Sequence, residues 1–569
     1  MSRQPLLIFA SGLLSFAAAA QAAPKPPGFA VASAHPLATE AGIEVLKEGG
    51  NAFDAAVAVS AALGVVEPYS SGIGGGGFWL LHRQRDGLET LVDGREKAPG
   101  AASRAMYQDA QGHAIADLSQ NGAIAGGIPG TPAALAHIAG TYGKLGLARD
   151  LAPAIKLARD GFPLDGRFAK FIVSESKRLS PVAQALLLPG GQPLAVGAVL
   201  RQPDLADTLQ RLADQGEAGF YAGETAQKLV DGVKAGGGIW TVQDLAQYQA
   251  VERKPIVFRF QGYRIVTAPP PSAGGIGLAE MLNQLTALRW KNAPGVVADQ
   301  GVIEAMRRAY RDRAAYLGDP DFVKIPLEHL LSPQYAGELA QSIEPGRATP
   351  SASLPQPGQP KRPAKEGVDT THYSIIDAEG NRVSATVTVN LIFGSAFMAP
   401  GTGVFVNDEM DDFAASTTDS NAFGLIGSEA NAIAPGKRPL STMTPTFVDG
   451  PKGVLVIGTP GGSRILTMVL LGMLDFFSGA DAKDIVSLPR YHMQYLPDQV
   501  QFEPGAFDAE QQEALQKMGY KLDALTHPYG NMQVVLWRPT DGTLQAAADP
   551  RAVGTAQVVM TAKASEAAH

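Results

Sequence analysis

The segment 347–369, RATPSASLPQPGQPKRPAKEGVD, constrains this chain most. Proline, serine, alanine and lysine crowd it, and no hydrophobic period runs through it, so neither a helix nor a strand could bury a face there. It is expected to be an exposed, mobile link. The texture differs on its two sides. Before it, 39–64 is an alanine-rich helical pattern broken at Gly49-Gly50, with Asn51 placed to cap a second helix. Further helical patterns lie at 132–142, 205–215 and 301–316. A glycine loop, Ser71-Gly72-Ile73-Gly74-Gly75-Gly76-Gly77, leads into an apolar, strand-like run at 78–81. After it, short β-prone runs take over at 370–376, 383–390 and Gly453–Gly458. The reading is an α/β (α+β) chain, helix-rich first and strand-rich last.

Composition removes several functions. The 569 residues hold 47 basic and 55 acidic side chains, a net −8, so no basic field draws the chain to nucleic acid. There is no cysteine, which excludes disulfides, thiolate nucleophiles and thiolate metal sites together. Residues 1–22, MSRQPLLIFASGLLSFAAAAQA, combine Arg3, an apolar stretch from Leu6 to Ala20 and the small-residue site Ala20-Gln21-Ala22. That is the pattern of a secretory signal peptide removed before Ala23. The apolar stretch is short of the ~20 residues that span a bilayer, and no later stretch is long enough. The mature chain is therefore expected to be exported, to the periplasm or beyond, with no membrane span.

Residues 370–390, TTHYSIIDAEGNRVSATVTVN, read as a hairpin turning at Asp377-Ala378-Glu379-Gly380-Asn381. A turn centred near Glu379 sets Thr370 opposite Thr388, with Cβ atoms ~5 Å apart. Two hydroxyls then lie within bonding reach at the end of the link. Such pairs are ordinary sheet decoration. They also suit a particular chemistry, because a threonine hydroxyl needs a base to become a nucleophile. Cleavage between Asp369 and Thr370 would make Thr370 a chain terminus whose own α-amine, with a reference pKa of about 7.7–8.0, serves as that base.

Here the chain resembles the γ-glutamyltransferase (γ-glutamyltranspeptidase) family of N-terminal-nucleophile hydrolases. Thr370-Thr371-His372-Tyr373-Ser374 is similar to the start of that family's small subunit. The runs from Gly49 to Ala56 and from Gly64 to Phe78 resemble its N-terminal signature. Pro269-Pro270-Pro271-Ser272-Ala273-Gly274-Gly275, Leu317-Gly318-Asp319-Pro320 and the block from Asn407 to Phe413 follow in order. Lys437-Arg438-Pro439-Leu440-Ser441 and Pro460-Gly461-Gly462-Ser463-Arg464 complete the set. The resemblance implies a four-layer αββα sandwich made of two subunits from one precursor. It implies self-cleavage before Thr370, giving a large subunit 23–369 and a small subunit 370–569 that pair as a heterodimer. It further implies transfer of a γ-glutamyl group from glutathione or a related compound onto Thr370, then to water or an amino-acid or peptide acceptor, without a cofactor or metal.

Site roles follow from the same resemblance. Thr370 is the nucleophile, Thr388 orients it, and the N–H groups of Gly461 and Gly462 stabilise the oxyanion. Otherwise the glycine pair marks a tight turn. Arg95 matches the arginine that grips the substrate α-carboxylate, a task its planar fork suits. The alternative is an ion pair with Glu96 or another acid. Asn390, Glu409 and Asp412 match the residues that take the α-ammonium, which donates three hydrogen bonds and accepts none. Without the match, this acidic run reads as a solvated face. Ser441 and Thr442 match a Ser–Ser pair that donates to the carboxylate, or else are loop hydroxyls. The segment 414–436 has the length and position of the lid loop in bacterial members, with Phe423 where many carry tyrosine. Losing that hydroxyl leaves open how the lid is held.

Other motifs are absent or silent. Gly74–Gly77 is not followed by Gly-Lys-Ser/Thr and reads as close backbone packing rather than a phosphate loop. The nine histidines show no metal spacing, and His372 is expected in the core or behind the site. No G-x-S-x-G occurs. Three rivals remain: a cephalosporin (glutaryl) acylase, whose substrate lacks the α-ammonium, a transpeptidase processing poly-γ-glutamate, and an inactive exported binding protein.

Overall fold

The computed structural model describes residues 24–293, 295–355, 369–416 and 420–561. The signal-peptide reading at 1–22 and most of the expected link, 356–368, lie outside the described residues. Two antiparallel sheets stack face to face. The seven-stranded sheet runs, edge to edge, through Thr555–Met560, Gly28–Ser33, Thr371–Ile376, Arg382–Thr388, Gly76–Arg83, Leu88–Asp93 and Val251–Arg253. The six-stranded sheet runs through Thr543–Ala548, Gln533–Arg538, Gly453–Gly458, Thr446–Gly450, Tyr263–Thr267 and Ile256–Phe260. Both sheets draw strands from before and after Thr370. Helices dominate before Thr370 and strands after it, as expected, yet the two parts interleave in both sheets, and the buried helix Ile465–Ser478 belongs to the second.

Helices cover the two outer faces. Pro36–Lys47 and Ala52–Val66 are separate helices broken at Gly49-Gly50, because Asn51 caps the second. Its Oδ1 accepts from the N–H groups of Phe53 and Asp54 while Asp54 accepts from the Asn51 N–H, a reciprocal cap. Ala52–Val66 is buried along its whole length and packs with Tyr373, Ile375, Val383, Ala385 and Val387 in one core. A second core joins the six-stranded sheet to Gly274–Ala287, Val296–Tyr316 and Ile465–Ser478. The result is the four-layer αββα sandwich.

Strand alternation decides what faces what. In the hairpin strands, Tyr373, Ile375, Val383, Ala385 and Val387 face the helices. Even-numbered polar residues face the other sheet: Ser384 Oγ donates to Ile457 O (3.0 Å) and Ser374 Oγ to Gln533 O (3.0 Å). His372 Nδ1 and Thr386 Oγ1 lie 2.8 Å apart on that face. The space between the sheets thus carries a bonded polar seam, and Thr370 and Thr388 stand at its end.

Within the expected link, 347–355 is mostly exposed but tethered at Ala348 and Ser351. Ala348 N donates to Met518 O (2.8 Å), Ser351 N donates to Asp498 Oδ2 (2.8 Å), and Ser351 is fully buried with its Oγ on Tyr495 O (2.6 Å). These backbone and hydroxyl bonds dock a stretch whose composition carries no hydrophobic period. Asp369, at the far end, is also buried.

Candidate active site

The hairpin register pairs Arg382 with Ile376 and Val387 with Thr371, so Thr370 falls opposite Thr388 as the turn predicts. The two Oγ1 atoms are 2.9 Å apart and buried. Thr388 Oγ1 also accepts from the Asn390 N–H (2.9 Å), which fixes the second hydroxyl before the first meets it. Thr370 has φ +79° and Asn390 φ +77°. A β-branched residue in the left-handed region is strained, and here the strained torsion is about the N–Cα bond next to the Asp369–Thr370 peptide.

Glycines let the neighbouring strand approach. A Cβ on Gly75 would lie 2.0 Å from the Thr388 carbonyl oxygen, and one on Gly74 2.0 Å from that of Phe405. The glycine loop is close packing behind the hydroxyl pair, as its lack of a phosphate-loop sequence predicts. Gly461 (φ +141°) and Gly462 (φ +57°) follow the strand Gly453–Gly458, in backbone that favours glycine. Gly462 lines the pocket with Thr370; a Cβ on it would stand 2.7 Å from the Phe423 ring.

That narrow pocket, with a cavity volume of about 20 Å³, brings together Thr370, Thr388, Arg95, Asn390, Glu409, Asp412, Ser441, Thr442, Phe423 and Gly462. Of the residues expected at the site, Gly461 and Asp369 do not line it. Met443 and Ile465 also line it, apolar positions that nothing in the sequence set apart.

Arg95 follows the strand Leu88–Asp93, and its N–H donates to Asp93 Oδ1 (2.9 Å). Its Nε donates to Pro439 O (3.1 Å) and its Nη2 to Asp412 Oδ2 (2.6 Å), while Nη1 bonds Glu409. Glu409–Asp412 forms one turn of 3₁₀ helix, which carries both acids to one guanidinium. The groups expected to take a carboxylate and an ammonium therefore neutralise each other. Asn390 Nδ2 donates to Asp408 O (3.1 Å), and Ser441 Oγ accepts from the Met443 N–H (3.1 Å).

Two buried acids flank this pair. Glu96 lies 3.7 Å from Arg95 Nη1, and neither of its oxygens has a hydrogen-bond partner. Desolvation pushes it up to about 8 despite Arg95, so it is largely neutral at pH 7. Asp411 is raised by burial too, although Ser119 Oγ (2.6 Å) and the Ala422 N–H (2.8 Å) donate to it. His372 is fully buried and pushed down to about 3 by desolvation, a neutral member of the seam and no general base. Asn421 escapes sequence reading, since it sits in a loop without periodicity, yet its Nδ2 donates to Asp412 Oδ1 (2.8 Å). Among the described residues no group of three or more His, Cys, Asp and Glu could hold a metal ion.

The gamma-glutamyltranspeptidase family model matches residues 38–559. Glutathione hydrolase proenzymes of Pseudomonas sp. (strain A14) and Escherichia coli (strain K12) are 45% and 41% identical to the chain. These matches cover 90% and 92% of this chain and 89% and 90% of those proteins. Cephalosporin acylase from Bacillus halodurans superposes with a TM-score of 0.80 at 28% identity, covering 97% of this chain and 99% of that chain. A chain of the Helicobacter pylori gamma-glutamyltranspeptidase is 39% identical with a TM-score of 0.55, over 57% of this chain and 94% of its own. With that match spanning nearly the whole chain, and with two threonine hydroxyls in contact where the hairpin meets the pocket, the chain belongs to the gamma-glutamyltranspeptidase family.

Proposed function

We propose that the chain is a proenzyme that cuts itself before Thr370 and then acts as a γ-glutamyltransferase and glutathione hydrolase. The observation that carries this is the Thr370–Thr388 contact of 2.9 Å at a strained, buried Asp369–Thr370 junction. In the first step Thr370 Oγ1 attacks the Asp369 carbonyl carbon, the hydroxyl proton passes to the amide nitrogen, and the C–N bond breaks to leave an ester. Water hydrolyses that ester, which frees the Asp369 carboxylate and restores the Thr370 hydroxyl beside the α-amine released in the first step. The amine then takes the hydroxyl proton as Oγ1 attacks a γ-glutamyl amide, and the leaving amine departs with a proton. Water or the amine of an amino acid or peptide resolves the acyl ester.

Substrate choice follows from charge. A γ-glutamyl donor brings one carboxylate and one ammonium to a pocket holding one guanidinium and two carboxylates. It can therefore replace the Arg95–Glu409–Asp412 ion pairs with matched partners and leave no buried charge alone. A glutaryl acylase reading draws on the likeness to the Bacillus halodurans acylase. It leaves Glu409 and Asp412 without an ammonium to bind. Export through residues 1–22, to the periplasm or the medium, belongs to the same proposal, as does pairing of the two cleavage products.

Purified protein should run as two denatured bands, the smaller beginning at Thr370, while Thr370→Ala stays whole. A Thr370→Ala protein that still splits would assign the cut to another protease. γ-Glutamyl-p-nitroanilide should be turned over faster than its glutaryl analogue; the reverse order would favour the acylase.

A further inference from the structure

Phe423 offers no hydroxyl, yet its side chain is 5% exposed and seated on Gly462 in the wall of the Thr370 pocket. What seats it is Asn421. The Asn421 Oδ1 accepts from the N–H groups of Phe423 (3.0 Å) and Leu425 (3.0 Å), and Asn421 N donates to Leu425 O (3.0 Å). These bonds fold 421–425 into the turn that carries the ring. The Nδ2 of the same amide donates to Asp412 Oδ1 (2.8 Å), whose other oxygen holds Arg95. The amide orientation follows from its partners, since a flipped group would set oxygen against carboxylate and NH₂ against N–H. The next residue repeats the link, with Ala422 N on Asp411 Oδ2 (2.8 Å). A second anchor, Gln494 Nε2 on Phe423 O (3.1 Å), touches neither acid.

We propose that Asn421 is a positioning residue that couples donor recognition at Asp412 to the seating of Phe423 over Gly462. This rests on the reading of Asp412 as the carboxylate that takes the donor ammonium. Arg95 draws on Asp412 through Oδ2. When an ammonium takes the Arg95 position, Asp412 stays charged and paired, and Oδ1 keeps Asn421. A ligand with carboxylates but no ammonium draws Arg95 away and leaves Asp412 without its counter-charge, so the acid that anchors the turn is no longer held. The coupling therefore discriminates at the α-ammonium, and it operates without a hydroxyl at position 423.

Chymotrypsin cleavage after Phe423, read by mass spectrometry on the processed enzyme, tests this with L-glutamate and glutarate as probes. Glutarate should speed the cut in the parent about tenfold, the factor that one hydrogen bond to a carboxylate is worth, and L-glutamate should leave it unchanged. Asn421→Ala should process normally yet be cut at one fast rate with or without glutarate. Asn421→Asp keeps the acceptor for the Phe423 and Leu425 N–H groups but cannot donate to Asp412, and it should lose the glutarate response as well. Gln494→Ala should be cut faster throughout while still quickening with glutarate. A full glutarate response in both Asn421 variants, equal quickening by L-glutamate, or no response of the parent would overturn the proposal. Turnover of γ-glutamyl-p-nitroanilide by the same parent sample tells whether the donor site itself fails with it.

Discussion

Arg95 shows how the fold accommodates a cation inside the Thr370 pocket. A guanidinium with 1% exposure must be paired, and Glu409 and Asp412 pair it. Glu96, beside it, carries the residue-scale pH signature. Its ordinary value is 4.5 and its folded value about 8, so between these the fold keeps a proton that the unfolded chain has lost. Stability from this group therefore falls as pH rises through that window, by up to about 1.4 kcal/mol per pH unit. Glu96→Gln mimics the protonated acid. Its melting temperature relative to the parent should climb from pH 4.5 to about 8 and level off above, and a difference flat with pH would show that Glu96 is ionised in the fold. Nearly all the pocket side chains were legible as residues, by resemblance. Their mutual neutralisation was not, because it depends on distances between segments more than 300 positions apart.

The hairpin is the element that the sequence specified most completely. Its turn residues set the register, the register set Thr370 against Thr388, and alternation sent the hydroxyl face between the sheets. The element behind it is the glycine strand, and its constraint is steric. Gly75→Ala would drive a methyl to 2.0 Å from the Thr388 carbonyl oxygen, so the strand or the hairpin must shift. Although Gly75 touches no substrate, self-cleavage in that variant should slow at least about tenfold, since a displacement of order 1 Å at a reacting group costs about that or more. Cleavage at the parent rate, timed on a denaturing gel, would mean that the backbone absorbs the methyl. The docked stretch 347–355 was illegible for the opposite reason. Its bonds are made by backbone amides and one serine, which leave no hydrophobic pattern.

At the scale of the molecule, cutting at Thr370 divides the sequence but not the fold. Gly28–Ser33 pairs with Thr371–Ile376 on one side and Thr555–Met560 on the other, and Gly76–Arg83 pairs with Arg382–Thr388. The six-stranded sheet joins Tyr263–Thr267 to Thr446–Gly450 in the same way. Neither product can leave without exposing sheet edges and splitting both cores. The cut protein should elute from native gel filtration as one species and separate only in denaturant. Two native peaks would contradict this interleaving.

The sequence by itself determined the local chemistry of this protein: the cap at Asn51, the hairpin and its register, the absence of any thiol, and the residue types gathered in family blocks. These are set by interactions within a few positions along the chain, or by side-chain identity alone. Only the tertiary structure decided that both sheets draw on both halves, that Arg95 is held by Glu409 and Asp412, and that Asn421 joins Asp412 to Phe423. Such pairings are chosen by packing between distant segments, where the desolvation of buried charge and the closeness of backbones select one arrangement among many that local pattern would allow.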